Sequence, residues 1–294
     1  MMADTVKDAS LISTFQTLSR RFIVGTHAIN QGLANFATDL RLLFHWSKNG
    51  VVLRQKNLDG FQLIVRAEET VGRSLYYKGM FEGEETKYLK GLVTESSVCF
   101  DVGANIGYYS LLFASLCPKG SVHSFEPVPL NYHVLCASSI LNGYSHLNAN
   151  LCAIGDREGI AELVVSSDSA FSSLLDTARK PAACKIAVQT ATLDAYCNNN
   201  DIRRIDILKV DVEGAEGRVL CGAQKVMRDR ERSPHMVMLE LYEPMLKQYG
   251  SSIAEILGEM HVFGYQPFAL LNGSLVPFRT EHQGYIENVI FIHG

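Results

Sequence analysis

The sequence lacks two features that would direct the chain to or through a membrane. Among its 294 residues, no stretch approaches the ~18 uninterrupted apolar positions of a spanning helix. The amino terminus, MMADTVKDASLISTF, has no basic start followed by an apolar run and a small-residue cleavage site, so a signal peptide is not expected. We therefore expect a cytoplasmic protein with no spanning segment.

Motifs of several other protein classes are absent as well. The seven cysteines form no C-x-x-C pair and lie mostly in apolar segments, which predicts reduced core residues. No zinc spacing, P-loop or Ser-His-Asp order is visible. The net charge of -4 comes without a clustered basic excess, so no nucleic-acid partner is expected. With 47% hydrophobic and 20% charged residues, the composition is typical of an ordinary globular enzyme.

The first 75 residues form a predicted N-terminal extension. Residues 11–44 carry apolar residues at helical spacing, which predicts two amphipathic helices with a break near Gly25. A helical cap on the main domain is favoured, and a membrane-surface contact, a partner site or a homodimer interface are the alternatives. The segment VVLRQKNLDGFQLIVRA predicts a β-hairpin. We place one boundary near residue 75, which separates the extension (1–75) from the main domain (76–294).

From Val98 onwards, short apolar runs alternate with helical patterns. This alternation predicts an α/β fold with a mostly parallel sheet covered by helices on both faces. The last two runs, around the short turn LNGSL, predict a closing pair at one edge of the sheet. The strand candidates are SVCFDV, SVHSFE, LNANLCAIG, IDILKVDV, HMVMLELY, YQPFALL and NVIFIH, and the helix candidates are IGYYSLLFASL, PLNYHVLCASSILNG and AEGRVLCGAQKVMRD.

The stretch VCFDVGANIGYYS has the strand, turn and helix order of a nucleotide-binding turn, in which backbone N–H groups at the helix start point towards a ligand. A dinucleotide fingerprint that starts at Gly103 requires glycines at positions 105 and 108, which are Asn105 and Tyr108. The bulkier turn leaves less room for a pyrophosphate. An NAD-dependent oxidoreductase or epimerase is therefore the weaker alternative.

A ligand with a ribose and a charged amino-acid portion suits these residues better. Glu126 ends the next strand, 23 positions after Gly103, where a carboxylate can accept hydrogen bonds from both ribose hydroxyls. Asp101 lies beside the turn and can accept a positively charged amino group. The pattern therefore favours S-adenosylmethionine as the cofactor.

Four segments, in this order, resemble the FkbM family of S-adenosylmethionine-dependent methyltransferases: FDVGANIGYYSLLFA, SFEPVPLNYHVL, AIGDREG and IDILKVDVEGAEGRVLCGA. The resemblance covers residues 76–294 and implies a class I methyltransferase, with a Rossmann-like sheet of seven strands. It also implies O-methylation of a hydroxyl on a small molecule, a sugar or glycan, a lipid or a polyketide. Its motifs assign the cofactor to Asp101, Gly103, Ala104, Asn105 and Gly107 at the methionine end, Glu126 at the ribose, and Ala153 and Asp156 near the adenine.

Two strand ends offer candidate catalytic groups. Lys209 and Asp211 lie on one side of the fourth core strand, and Glu240 follows the next strand. Asp211 is the favoured general base, with Lys209 to orient it or the acceptor hydroxyl. Glu213 and Glu216 are either functional or simply carboxylates at a helix start.

Carboxylates at two adjacent strand ends also suit a hard cation. Asp211 and Glu240 offer oxygen ligands for Mg²⁺ or Ca²⁺, by analogy with catechol-type O-methyltransferases. The segment VSSDSAFSSLLDTARKP is polar and long enough to form a mobile loop that selects the acceptor. A protein that binds the cofactor without turnover is a further alternative, which the acidic strand ends disfavour.

Overall fold

The computed structural model describes residues 52–56, 59–177, 179–279 and 287–294, and the helices predicted within residues 11–44 lie outside this part of the chain. Among the described residues, no helix combines the length and apolar character needed to cross a membrane. The strands, numbered in chain order, are β1 (Val52–Lys56), β2 (Gln62–Arg66), β3 (Val98–Val102), β4 (Ser121–Phe125), β5 (Leu147–Asn150), β6 (Ala153–Ile154), β7 (Gly159–Ser166), β8 (Ala182–Ala191), β9 (Ile207–Val210), β10 (Met236–Leu241), β11 (Tyr265–Leu271), β12 (Ser274–Pro277) and β13 (Glu287–His293).

Helices separate the strands from β3 to β5 and from β8 to β11, whereas no described α-helix separates β5, β6, β7 and β8. The helices are α1 (Thr70–Lys78), α2 (Gly83–Leu92), α3 (Tyr108–Leu116), α4 (Pro129–Asn142), α5 (Leu193–Asn199), α6 (Glu216–Cys221), α7 (Gln224–Arg228), α8 (Glu243–Gln248) and α9 (Ile253–Val262), with one turn of 3-10 helix at Ser169–Phe171.

The main sheet has the order β12-β11-β13-β10-β9-β3-β4-β5. Five neighbouring strands of this sheet, β10, β9, β3, β4 and β5, are parallel, and β13 runs antiparallel to both β10 and β11. The prediction of a seven-stranded, mostly parallel sheet is confirmed, and β12 adds an eighth strand at the edge. All four residues of β9 are buried, because helices cover both faces of the sheet at its centre.

The direction of the strand order changes beside β3. The chain runs from β3 to β4 and β5 on one side, and later returns to β9 and β10 on the other. In open α/β sheets, ligands bind outside the carboxyl ends of the strands at such a point. The fold therefore places the carboxyl ends of β3, β4 and β9 around one crevice.

The predicted hairpin is present as the antiparallel pair β1 and β2. It is attached to α4, because Ser138 Oγ accepts a hydrogen bond from the backbone N–H of Ile64 and Asn142 Oδ1 accepts one from Gln62. Contacts group Asn49–Gly294 into one compact unit, which includes the hairpin that the sequence analysis placed with the extension.

Three predicted elements differ in the structure. LNANLCAIG is divided between β5 and β6, and β6 joins β7 and β8 in a separate three-stranded sheet that the sequence analysis missed. The turn LNGSL connects β11 to β12, while β13 follows later and lies between β11 and β10. AEGRVLCGAQKVMRD forms two short helices instead of one. The break lies at Gly222, where a Cβ atom would come within 2.0 Å of the Gly155 carbonyl oxygen.

Gly103 is the position at which the turn depends most on the absence of a side chain. Its φ is +80°, and a Cβ atom there would lie 1.8 Å from the backbone oxygen of Asp211. We expect Gly103→Ala to lower the free energy of unfolding by about 3 kcal/mol, measured by urea denaturation, because strain and overlap add.

The matched control for this prediction is Gly143→Ala. Gly143 has a similar φ of +70° at the end of α4, but a Cβ atom there would meet no atom of the described residues within 4 Å beyond its chain neighbours. We expect a loss of only about 1 kcal/mol, from backbone strain without overlap. Equal losses for the two variants would contradict the close approach of the turn to Asp211.

Candidate active site

A cleft of about 350 Å³ opens at the carboxyl ends of β3, β4, β9 and β10. This volume lies within the range of small-molecule sites. Nine of the eleven residues predicted for the site line it: Asp101, Gly103, Ala104, Asn105, Glu126, Ala153, Lys209, Asp211 and Glu240.

The glycine turn is held against the end of β4. The backbone N–H groups of Gly103 and Ala104 both donate to the carbonyl of Phe125, each at 3.0 Å. Asn105 has a φ of +50°, in the left-handed region that asparagine adopts more readily than most residues. Its N–H donates to Glu126 Oε2 at 2.7 Å. The turn and the predicted ribose carboxylate therefore form one hydrogen-bonded unit.

Glu126 is buried and accepts hydrogen bonds from the backbone on both carboxylate oxygens. Its Oε1 accepts from Val128 N–H at 2.9 Å, and Oε2 from Asn105 as described. Burial raises the pKa of Glu126 to about 7, although these two N–H groups act in the opposite direction. Oε1 also accepts a long hydrogen bond from Asn131 Nδ2 at 3.5 Å, whereas Oε2 keeps a further lone pair, so Glu126 can still accept from a ligand hydroxyl.

Asp101 carries a buried oxygen without a partner. Its Oδ2 accepts from Ser110 Oγ at 2.6 Å, whereas Oδ1 has no hydrogen-bond partner among the described residues. Burial raises the pKa of Asp101, and the positive charge of Lys209 opposes this shift. An unpaired carboxylate oxygen on the wall of a cleft fits the charged amino group of the predicted cofactor.

Two predicted residues lie outside the lining of the cleft. Gly107 begins α3 behind the turn, where a Cβ atom would lie 2.3 Å from Leu135 Cδ1, so its role is close packing. Asp156 is exposed and lies 3.8 Å from Arg157 in a polar turn. The structure therefore does not bring Asp156 to the cleft, while Ala153 does line it.

The predicted catalytic carboxylates meet at the ends of β9 and β10. Oxygens of Asp211, Glu213 and Glu240 lie within 4.8 Å of one another. Lys209 is 3% exposed, and its Nζ donates to Asp211 Oδ2 at 3.1 Å. Burial, followed by the charges of Asp211 and Glu213, raises the pKa of Glu240 well above its usual range.

The two neighbouring glutamates have different partners. Glu216 Oε1 accepts from the N–H groups of Val212 and Gly214 at the start of α6, as expected for a helix-start carboxylate. Glu213 instead lines the cleft and forms an ion pair with Arg179. Burial raises the pKa of Glu213 to about 8, with Asp211 adding to the shift and Arg179 opposing it.

The segment 165–181, predicted as an acceptor loop, forms a wall of the cleft through Ser169–Leu174 and Arg179. Asp168 Oδ2 accepts from the N–H and hydroxyl of Thr70 at 3.0 and 2.7 Å. The Arg179 guanidinium lies 4.4 Å from the centroid of the Phe171 ring. The mobility of this segment stays a prediction.

Sequence reasoning missed Glu82, which lies on the cleft wall. Its Oε2 accepts from the hydroxyl of Tyr109 at 2.6 Å, and the Tyr109 ring centroid lies 4.9 Å from Lys209 Nζ. The only sequence signal was the position of Glu82 in GMFEGEE, upstream of the first core strand. Spacing alone does not indicate that this segment returns to the glycine turn.

Comparison with known proteins identifies a family. The family model for the methyltransferase FkbM domain matches residues 101–267. Methyltransferase sdnD of Sordaria araneosa is 30% identical over 173 residues, which cover 49% of this chain and 66% of that protein. The 31-O-demethyl-FK506 methyltransferase FkbM of Streptomyces tacrolimicus is 30% identical over 156 residues, covering 43% and 59%. The 2-O-methyltransferase NoeI of Sinorhizobium fredii is 27% identical over 144 residues, covering 44% and 58%.

The matches thus span about three fifths of the length of these curated relatives. The matched region of this chain includes the turn, the ribose carboxylate and both acidic strand ends. The chain belongs to the FkbM methyltransferase family, and its cofactor is S-adenosylmethionine, as the glycine turn predicted.

Proposed function

We propose that this protein is an S-adenosylmethionine-dependent O-methyltransferase acting on a hydroxyl of a small molecule, a sugar or glycan, a lipid or a polyketide-type product. The observation that carries the proposal is that Asp211, on the lining of the cleft, accepts a hydrogen bond from buried Lys209 and lies within 4.8 Å of a carboxylate oxygen of Glu240. Two relatives are named for transfer involving a numbered oxygen, which supports oxygen as the acceptor atom.

Cofactor binding is assigned to the walls at β3 and β4. Asp101 Oδ1 accepts a hydrogen bond from the amino group of the methionine portion, because this oxygen is buried and has no partner among the described residues. Glu126 accepts the ribose hydroxyls, and Ala153 contributes an apolar wall near the adenine. The bound cofactor supplies an electrophilic methyl group. The protein contributes by holding an acceptor oxygen in line with that group and by removing its proton.

Asp211 is the proposed proton acceptor. Two neighbouring carboxyl groups do not both ionise easily, and the raised pKa of Glu240 makes Glu240 the protonated member of the pair. Lys209 orients the Asp211 carboxylate through the 3.1 Å contact. Phe171 and Arg179, on the segment 165–181, border the side on which an acceptor enters.

The sequence left two alternative functions open, and the family assignment bears on only one of them. An NAD-dependent oxidoreductase or epimerase has no support from the family assignment, and Asn105 holds Glu126 where the dinucleotide fingerprint has a glycine. A binding protein without turnover keeps the same cleft, so only an activity measurement separates it from an enzyme. The absence of a nucleic-acid partner, the cytoplasmic location and the homodimer stay predictions.

Asp211→Asn tests the catalytic assignment. We expect turnover to fall by ~10²- to 10⁴-fold, because a general base is lost, while the affinity for S-adenosylhomocysteine changes less than about threefold. Transfer of a tritiated methyl group onto a panel of hydroxylated acceptors measures turnover, and calorimetry measures affinity. Glu158→Gln, an exposed carboxylate in the polar turn, is the control. Normal turnover in Asp211→Asn would remove Asp211 from the mechanism.

The pKa of Glu126 predicts that cofactor binding depends on pH. Glu126 is ionised at pH 8 and mostly protonated at pH 6, because its pKa is about 7. Only the carboxylate accepts from both ribose hydroxyls, so we expect the affinity for S-adenosylhomocysteine to fall about tenfold from pH 8 to pH 6. In Glu126→Gln the affinity should be weaker at pH 8 and change less with pH. Parallel pH curves for the two proteins would exclude this role of Glu126.

Chelation tests whether methyl transfer needs the divalent cation that the sequence suggested by analogy. Asp211, Glu213 and Glu240 offer oxygen ligands, and a bound Mg²⁺ or Ca²⁺ would supply Lewis-acid polarisation of the acceptor oxygen. Lys209 and Arg179 already pair with two of these carboxylates. We therefore expect methyl transfer to survive exhaustive chelation and not to rise with added Mg²⁺. Loss of transfer that Mg²⁺ restores would establish the metal-dependent version.

A further inference from the structure

Glu82 stands outside the glycine turn and outside the carboxylates assigned to proton transfer. It precedes α2, with a φ of +44°, and its side chain reaches the cleft wall. The hydroxyl of Tyr109, a residue that is 4% exposed, donates a hydrogen bond to Glu82 Oε2. Burial raises the pKa of Glu82, whereas the positive charge of Lys209 and the hydrogen bond from Tyr109 act in the opposite direction and favour the charged form.

Glu82 belongs to a group of charges that share one buried cation. Burial alone would lower the pKa of Lys209, but Asp211, Asp101 and Glu82 raise it overall, so the ammonium stays charged. Tyr109 contacts both residues, because its hydroxyl donates to Glu82 Oε2 and its ring centroid lies 4.9 Å from Lys209 Nζ. The positive charge of Lys209 therefore interacts with three carboxylates from three separate parts of the chain.

The cleft carries more negative than positive side chains. Among the described residues that line it, six carry carboxyl groups (Glu82, Asp101, Glu126, Asp211, Glu213 and Glu240) and two carry cations (Lys209 and Arg179). With Glu240 protonated as proposed above, the carboxyl groups that can ionise still outnumber the cations. Both cations already have an ion-pair partner. Asp101 Oδ1 is an independent indication of a cationic ligand, because it lines the same cleft, is buried and has no hydrogen-bond partner among the described residues. A positively charged ligand is favoured in such a cleft, since charges interact more strongly where water is excluded.

The reaction changes the charge of the cofactor. When the methyl group moves, the S–CH₃ bond breaks, its electron pair stays on sulfur, and an O–CH₃ bond forms at the acceptor. The hydroxyl proton passes to Asp211 under the mechanism proposed above. The sulfonium of S-adenosylmethionine thereby becomes the neutral thioether of S-adenosylhomocysteine. A cleft with an excess of carboxylates therefore binds S-adenosylmethionine more strongly than S-adenosylhomocysteine.

We propose that Glu82, held by the Tyr109 hydroxyl, makes the cleft select the sulfonium cofactor over its neutral product. This inference rests on the proposed function, because it concerns the same cofactor. Glu82 acts on binding through its charge, and it needs no contact with the acceptor. Its consequence is that the spent product leaves more readily than a fresh cofactor.

Glu82→Gln tests the proposal, because the amide keeps an oxygen for Tyr109 while the negative charge is removed. Affinities for S-adenosylmethionine, S-adenosylhomocysteine and sinefungin, which carries an amine in place of the sulfonium methyl, are measured by calorimetry at pH 8. We expect the variant to bind S-adenosylmethionine about fivefold or more weakly, while S-adenosylhomocysteine stays within about twofold. Sinefungin, when protonated, should follow S-adenosylmethionine.

Two further variants serve as controls. Glu84→Gln removes an exposed carboxylate two positions along the same segment, and should leave the ratio of the two affinities unchanged. Tyr109→Phe keeps the ring beside Lys209 but removes the hydroxyl. We expect it to reduce the preference for S-adenosylmethionine over S-adenosylhomocysteine less than Glu82→Gln does. Thermal melting confirms that each variant is folded.

The outcomes separate this inference from the function on which it rests. Equal weakening of both ligands in Glu82→Gln would show a purely structural role and overturn the proposal. An unchanged ratio would overturn it as well, while leaving the methyltransferase assignment intact. If the unmodified protein binds neither S-adenosylmethionine nor S-adenosylhomocysteine, the proposed function itself fails.

Discussion

The buried ammonium of Lys209 is the charge around which the site is arranged. Removing a charged group from water is costly unless opposite charges and hydrogen bonds replace the solvent. Lys209 projects from the fully buried strand β9, and its compensation comes from Asp211 beside it, Asp101 on β3 and Glu82 before α2. Three distant parts of the sequence must therefore fold together to satisfy one side chain.

The glycine turn connects the residues around Lys209 to the cofactor side of the cleft. Gly103 lies so close to the Asp211 carbonyl that no side chain fits between them. The same turn bonds to Phe125 and Glu126 at the end of β4. The cofactor groups and the proton-transfer groups thus lie at one junction of three parallel strands, which these backbone contacts hold together. Backbone geometry in the turn and charge balance at Lys209 consequently support each other.

Much of this architecture can be predicted from local pattern. Buried apolar runs alternating with helices indicate the parallel sheet, and Asp101, Asn105 and Glu126 indicate the cofactor. Local pattern fails where a tertiary contact overrides it. The helix predicted across Gly222 is divided in two, and the Gly155 carbonyl packs against the residue at the break. Asp156 follows β6 as expected from the motif, yet its turn points to solvent, and the missed strands β7 and β8 belong to a second sheet.

Residues close to one another in the chain were sufficient to establish the fold class, the cofactor and the pairing of Lys209 with Asp211, because strand alternation and turn geometry act over a few positions. The sequence also predicted that Glu240 and Asp211 lie at adjacent strand ends, whereas the positions of Glu82, Tyr109 and Arg179 around them depended on folding. These side chains come from five segments separated by dozens of residues, and only the packing of helices and loops at the strand ends brings their charges into contact. Electrostatic balance is a property of that assembled cleft, so no single stretch of sequence contains it.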